Sequence, residues 1–373
     1  MANDYTMYRA TVSTLTPLHI GNGRVLLHNY DYAIHQGKTW RINEDALLDV
    51  QAVDDPRIAE QLAQTPPAQL LTKEDFRPES DFFHYVLAGT PRSQQAGAEL
   101  REQIKDAFYR PYLPGSSLKG ALRTAIVWFA FGARKLTMRD VKPRLGRNPA
   151  WAAQAIEQEL LGRDPNHDLL RALHVSDSQP IGPEQLILVN AQVVTRGGMG
   201  SPIEVEAIRP DTELELTIKL DNALFSDWAR QLGLRERADW LQHLPAVVQR
   251  HTACQVKDEL TWYNGHKGAE AARNFYTELS QLNLPENTCV LRMGWGGGWD
   301  SKTLGSHLRS DPAFLEGIIR DYHMTRGRRQ PGDPFPKSRR VSVRRVRANN
   351  GAVHDTIGLP LGWVLLTLTK VHG

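Results

Sequence analysis

The chain has 373 residues, enough for two domains that each bury a core, and 41% hydrophobic with 23% charged residues exclude a disordered or fibrous class. The net charge is only +3, and no run of about 18 apolar residues exists that could span a membrane. The start, MANDYTMYRA, has no basic stretch leading into an apolar one, so neither a secretory signal nor a membrane anchor is expected, and the cytoplasm is the expected compartment.

In chain order, residues 8–20 alternate loosely, carry β-branched side chains and predict an opening strand that ends at Pro17. Residues 29–42 predict a hairpin with Gln36-Gly37-Lys38 at its tip. From about 44 to 110 the chain is polar and helical in pattern, punctuated by Pro66-Pro67, Pro78 and Pro91. That predicts a helical insertion outside the core sheet. After Pro114-Gly115, Leu118, Ala121, Leu122, Ala125, Ile126 and Phe129 recur at three and four residues, the stripe of a helix, with Ser116 or Ser117 as its N-cap. Helical material continues to about 163.

Strands are predicted over Leu186–Thr195 and Glu213–Leu220. In the second, Leu214, Leu216, Ile218 and Leu220 alternate with polar residues. Residues 224–253 and 267–282 read as helical, with Pro245 interrupting the first segment. A short strand over Cys289–Met293 runs into a glycine cluster, and Trp363–Leu368 is a closing apolar strand. Interspersed strands and helices point to an α+β fold with helices on one face of its sheets. A domain change is placed near residue 205, dividing the chain into 1–205 and 206–373. Cys254 and Cys289 lie in no CxxC pair and are expected to be reduced, buried small hydrophobes.

The charge is unevenly spread. Between Arg326 and Arg347 stand nine Lys or Arg against one acid, Asp333, so this stretch carries +8 and the remainder −5. Such a concentration suits a polyanion, although a solvated basic loop with no dedicated partner has the same composition.

Two glycine-bearing segments could meet a phosphate. YLPGSSLKGALRTA (Tyr112–Ala125) sets glycine, unpaired helix N–H groups and a positive dipole end beside Lys119 and Arg123, which share a helix face. An ordinary capped helix with solvated cations fits the same residues. In RMGWGGGWDSKTLG (Arg292–Gly305), Gly294, Gly296, Gly297 and Gly298 fall within five residues. Trp295 and Trp299 beside them could stack on bases, and Lys302 could reach a phosphate. A tight turn with tryptophans packed in the core is the plainer reading. The loop is no nucleotide-binding P-loop, because counting from Gly296 puts Ser301 where the second glycine belongs. GSSLKG has its two glycines but is followed by Ala121 where lysine is required, so ATPase activity is not expected.

Thirteen histidines form no metal-ligand spacing and no G-x-S-x-G elbow occurs, so no metal and no cofactor is expected. His19, in TLTPLHIGNG (Thr14–Gly23), is the one candidate general base for RNA cleavage. A histidine that caps the loop or hydrogen-bonds RNA is the favoured reading. Asp177, in HVSDSQP (His174–Pro180), could pair with Lys119 or Arg123 or cap a turn.

TLTPLHIGNG, YLPGSSLKGALRTA, HVSDSQP, the glycine loop, FPKSRRV (Phe335–Val341) and PLGWVLLTL (Pro360–Leu368) occur in the order found in the RAMP superfamily of CRISPR-associated proteins, which this sequence resembles. Within it the pairing of FPKSRRV with GWGGGWDSKT is most similar to the fifth-subunit family of type III-A Csm complexes. Three consecutive glycines and a second tryptophan depart from the superfamily's usual alternating loop. The resemblance implies two ferredoxin-like (RRM-like) domains with helical insertions, and a non-catalytic subunit that caps the complex near the 3′ end of the CRISPR RNA. It implies a neighbouring third Csm subunit as partner and a part in 3′-end maturation and antiviral defence. The small helical subunit, target RNA and recruited host nucleases are further candidate partners. Carried over by position, Ser117, Lys119 and Arg123 would hold the RNA backbone or the adjoining subunit, while His19 is an RNA-binding candidate from its loop alone. Gly296, Gly297, Gly298 and Lys302 would contact RNA through the glycine loop, where Trp295 is the stacking candidate, and Lys337, Arg339 and Arg340 would extend the track. A superfamily endoribonuclease acting through His19, or another type III subunit, is the alternative.

Overall fold

The computed structural model describes residues 4–51, 54–325, 329–330, 333–347 and 351–372. Its strands are β1 (Tyr5–Thr14), β2 (Gly21–Leu27), β3 (Tyr32–His35), β4 (Lys38–Ile42), β5 (Phe83–Ala88), β6 (Glu99–Gln103), β7 (Leu173–Val175), β8 (Leu186–Thr195), β9 (Gly198–Ile208), β10 (Glu213–Asp221), β11 (Thr288–Arg292), β12 (Ser338–Arg347), β13 (Val353–Pro360) and β14 (Trp363–His372). The helices are α1 (Glu44–Asp49), α2 (Pro56–Gln64), α3 (Gly115–Ala133), α4 (Met138–Val141), α5 (Gln154–Leu161), α6 (Ala238–Gln242), α7 (Leu244–Asn264), α8 (Glu270–Gln281), α9 (Gly305–Arg309) and α10 (Pro312–Asp321). The fold is α+β, as expected.

Two sheets organise it. The first runs β11-β14-β1-β10-β7, antiparallel throughout. Its alternation is the one the sequence predicts, since Leu214, Leu216, Ile218 and Leu220 of β10 are all buried. The second runs β2-β6-β9-β8-β5-β4-β3, and the β12–β13 hairpin joins it where β12 pairs with β8. Residue 205 lies inside β9, and both sheets take strands from both sides of it.

Three expectations are corrected. The segment 44–110 is no insertion outside the sheet. Only its first part is helical, while β5 pairs with β4 and β6 with β2. Pro245 does not interrupt a helix but opens α7 in its first turn, where its missing N–H costs nothing. Neither Ser116 nor Ser117 caps α3. Pro114 holds the N-cap position and the Asp177 carboxylate accepts from the Gly115 N–H at 2.7 Å.

Helix α3 forms where the apolar stripe predicts it, with Leu118, Leu122, Ala125 and Ile126 buried in the main core against α7 and β7. Its start is pinned by Gly115, because a Cβ there would meet the Val175 carbonyl oxygen at 2.4 Å. Hairpin β3–β4 turns at Gln36-Gly37, both at positive φ. Cys289 is fully buried, Cys254 half-buried, and both are free thiols.

Candidate nucleic-acid interface

Backbone hydrogen bonds tie three distant segments together. The Trp295 N–H donates to the His19 carbonyl at 2.8 Å, the Met293 N–H to the Gly362 carbonyl at 2.8 Å, and the Gly362 N–H to the Pro17 carbonyl at 3.0 Å. The close approach demands glycine at two places. A Cβ on Gly294, at φ +72°, would lie 2.6 Å from the His19 carbonyl oxygen, and one on Gly362, at φ +82°, would lie 2.0 Å from that of Met293. The TLTPLHIGNG segment, the glycine loop and the PLGWVLLTL turn are therefore one assembly.

With the first turn of α3 this assembly encloses a groove of about 570 Å³. His19, Ser117, Trp295 and Lys302 line it, together with Arg24 and Arg101. Trp295 is half-buried, its body packed on the apolar face of β8 and β9. Two guanidinium groups flank its ring, Arg101 at 5.7 Å and Arg340 at 5.4 Å. Arg24, Arg101, Lys302 and Arg340 are exposed, whereas the one acid lining the groove, Glu102, is buried and bound by Lys105 and Asn22, with Arg24 Nε 3.8 Å away. A half-sunk aromatic ring rimmed by exposed cations suits a single-stranded polyanion carrying flat bases.

Other residues singled out from the sequence lie elsewhere. Lys119 and Arg123 face a second cleft of about 850 Å³ between α3, α5 and α10, and Arg123 is held there by Glu157 at 3.2 Å and Asp168 at 2.7 Å. Lys337 is ion-paired with Asp333. Arg339 is buried, its Nε 2.8 Å from Glu259. Trp299 packs edge-on to Phe335. Gly296 and Gly297 are buried, Gly298 is half-buried, and their conformations meet demands of the fold: Gly296 takes φ +96° beneath Leu361. Arg326 and Arg328 of the basic segment lie outside the described residues. Asp177 caps α3 and pairs with neither Lys119 nor Arg123.

His19 is 2% exposed. Its Nδ1 donates to the Glu206 carbonyl at 2.6 Å, which leaves Nε2 as an acceptor toward the groove side of Gly21. Burial pulls the imidazole down to about 4, with Arg101 and Lys105 adding to the fall and the Glu206 hydrogen bond opposing it. A neutral histidine of that acidity is a poor base for a ribose hydroxyl. The same burial predicts acid lability. Since the unfolded chain holds the proton more tightly, His19's contribution is complete above about pH 6.5 and is lost as pH falls through 4, up to about 3 kcal/mol. Urea unfolding of His19→Gln between pH 7 and 4 should show a flatter decline than the parent chain, and equal declines would refute the assignment.

Arg24 and Arg101 carried no signal as site residues, and the core beneath the groove was equally hidden. Arg292 is buried, donating from Nε to the Leu361 carbonyl at 3.0 Å and from Nη2 to the Gly296 carbonyl at 3.2 Å, with Nη1 3.5 Å from Glu259. The one signal was polar spacing: Thr252, Gln255 and Glu259 all fall on the buried face of α7. Among the described residues no group of His, Cys, Asp or Glu could hold a metal ion, and no helix is long and apolar enough to cross a membrane.

Comparison with known proteins bears on the family and the fold. The family profile described as the RAMP superfamily matches residues 11–299. A Streptococcus thermophilus protein named CRISPR system Cms protein Csm5 is 30% identical over 258 residues, which cover 64% of this chain and 71% of that one. A Mycobacterium tuberculosis protein of the same name is 27% identical over 216 residues, 55% of this chain and 52% of its own length. Among solved structures, a chain of a Csm–crRNA–target RNA ternary complex from a type III-A CRISPR-Cas system superposes with TM-score 0.68 at 24% identity, covering 97% of this chain and all of its own. T. onnurineus Csm5 gives TM-score 0.68 at 23% identity, covering 95% and 99%.

Proposed function

Because this chain belongs to the RAMP superfamily, and within it to the Csm5 subunits of type III-A CRISPR systems, we propose that it binds CRISPR RNA through the Trp295 groove without cleaving it. On this reading it caps the effector complex near the 3′ end of the guide, beside the third Csm subunit, and supports 3′-end maturation and antiviral defence in the cytoplasm. The small helical subunit, target RNA and recruited host nucleases complete its expected partners. The carrying observation is the half-buried Trp295 ring flanked by Arg101 and Arg340, beside a groove that Arg24 and Lys302 also line with exposed side chains. Guide spacers vary in sequence, so their binder should grip phosphate and stack on any base.

Trp295→Ala should therefore lose about 1–3 kcal/mol of RNA affinity, by a similar amount for spacers of unrelated sequence. Fluorescence titration with three such RNAs measures it, and a loss confined to one sequence would point to base readout. Repeat RNA incubated with the protein, with and without chelator, should stay intact. Specific cleavage that disappears in His19→Ala would make the chain a processing endoribonuclease and overturn the proposal.

A further inference from the structure

Strand β12 begins Ser-Arg-Arg-Val-Ser-Val-Arg-Arg, so the neighbours Arg339 and Arg340 are identical while pointing to opposite faces of the sheet. A one-residue slip against β8 would put either Ser338 or Arg340 at the inward place of Arg339, and backbone pairing alone resists it weakly. Observed pairing sets Arg339 against Val194 and Arg340 against Val193. Arg339 thereby points inward, 8% exposed, with its guanidinium on Glu259 at 2.8 Å, 3.6 Å from Asp300 and over the Trp262 ring at 5.0 Å. Arg340 points out over Trp295. Glu259, 2% exposed, meets Arg292 with the same oxygen that meets Arg339, and Arg292 in turn holds the Gly296 carbonyl.

We propose that Glu259 is a positioning residue for the groove: by gripping Arg339 and Arg292 together it locks the register of β12 and the path of the glycine loop, so that Arg340 and Trp295 face the RNA. Val341, fully buried on the same face as Arg339, adds to the lock. A buried charge pair is a costly way to stabilise a core but an effective way to forbid the slip that brings Ser338 inward, which would leave Glu259 without a guanidinium, while the opposite slip would turn Val341 out of the core. The proposal rests on the RNA-binding reading for its consequence, but the lock itself can be measured without RNA.

Thiol labelling reads the register. Arg340→Cys should react fast and Val341→Cys slowly, while native Cys289, fully buried, reports global opening. Adding Glu259→Gln should shrink the ratio of the two rates by more than about tenfold, with Cys289 still protected. If that variant exposes Cys289, Glu259→Asp, which keeps the charge, should give a smaller shrinkage in a folded chain. An unchanged ratio in a folded variant overturns the lock. In RNA titrations, Glu259→Gln should lower the salt slope as much as Arg340→Ala does, about 0.7, although it removes no exposed cation, and the two together should lower it no further. A parent slope indifferent to Arg340→Ala counts against the RNA-binding reading, whereas the labelling ratio judges the lock by itself.

Discussion

Replacing Arg24, Arg101, Lys302 and Arg340 together by glutamine is expected to weaken binding of single-stranded CRISPR RNA several-hundred-fold at about 0.1 M salt, from counterion release of roughly 0.7 per neutralised phosphate. Each charge then supplies about fivefold, and the slope of log affinity against log salt should fall by about 3. The fold should survive, because all four side chains are exposed and the single acid lining the groove keeps its Lys105 and Asn22 partners. Filter binding at four salt concentrations gives both numbers. A two-charge control is Lys119→Gln with Lys337→Gln, whose side chains lie off the groove and are expected to change the slope little. If the control weakens binding as much as the groove variant, RNA runs over the second cleft and the β12 start, and the groove is not its path.

Why the control residues once ranked beside the groove residues is a matter of what a sequence can encode. The α3 stripe was readable because burial of Leu118, Leu122 and Ile126 imposes a period of 3.6. The strict alternation of β10 was readable for the corresponding reason. Direction was not. Lys119 and Ser117 are two residues apart on α3, yet about 200° of helix rotation sends one to the second cleft and the other to the groove. Arg339 and Arg340 are adjacent and chemically identical, and only Glu259, 80 residues away, separates a buried ion pair from an exposed cation. Arg101 was hidden by its setting. Glu99–Gln103 has no β-branched residue and reads as helix, and it becomes a strand because β2 and β9 flank it. In the basic segment the density of charge masks the alternation of β12, which Val341 and Val343 carry.

The groove also stands on a second buried ion pair, and its removal should unfold the protein without touching the RNA contacts. Glu206 is fully buried. It accepts from Lys105 Nζ at 2.5 Å, the Tyr85 hydroxyl at 2.7 Å and the Gln103 N–H at 2.9 Å, while its own carbonyl holds His19. Lys105→Met leaves that carboxylate in the core with two neutral donors, a loss of about 3–5 kcal/mol. Adding Glu206→Gln should recover much of it, since the amide oxygen can still accept from the Gln103 N–H and the amide NH2 can donate to the Tyr85 hydroxyl, while the uncompensated charge is gone. Urea midpoints of the parent, the single and the double variant measure the coupling. In whatever fraction remains folded, the salt slope for RNA should match the parent, because Lys105 is 3% exposed and reaches no strand lying in the groove. Equal midpoints for Lys105→Met and the parent would mean that this pair is not what holds the His19 loop beneath Trp295. A lowered slope with a parent-like midpoint would place Lys105 itself among the phosphate contacts.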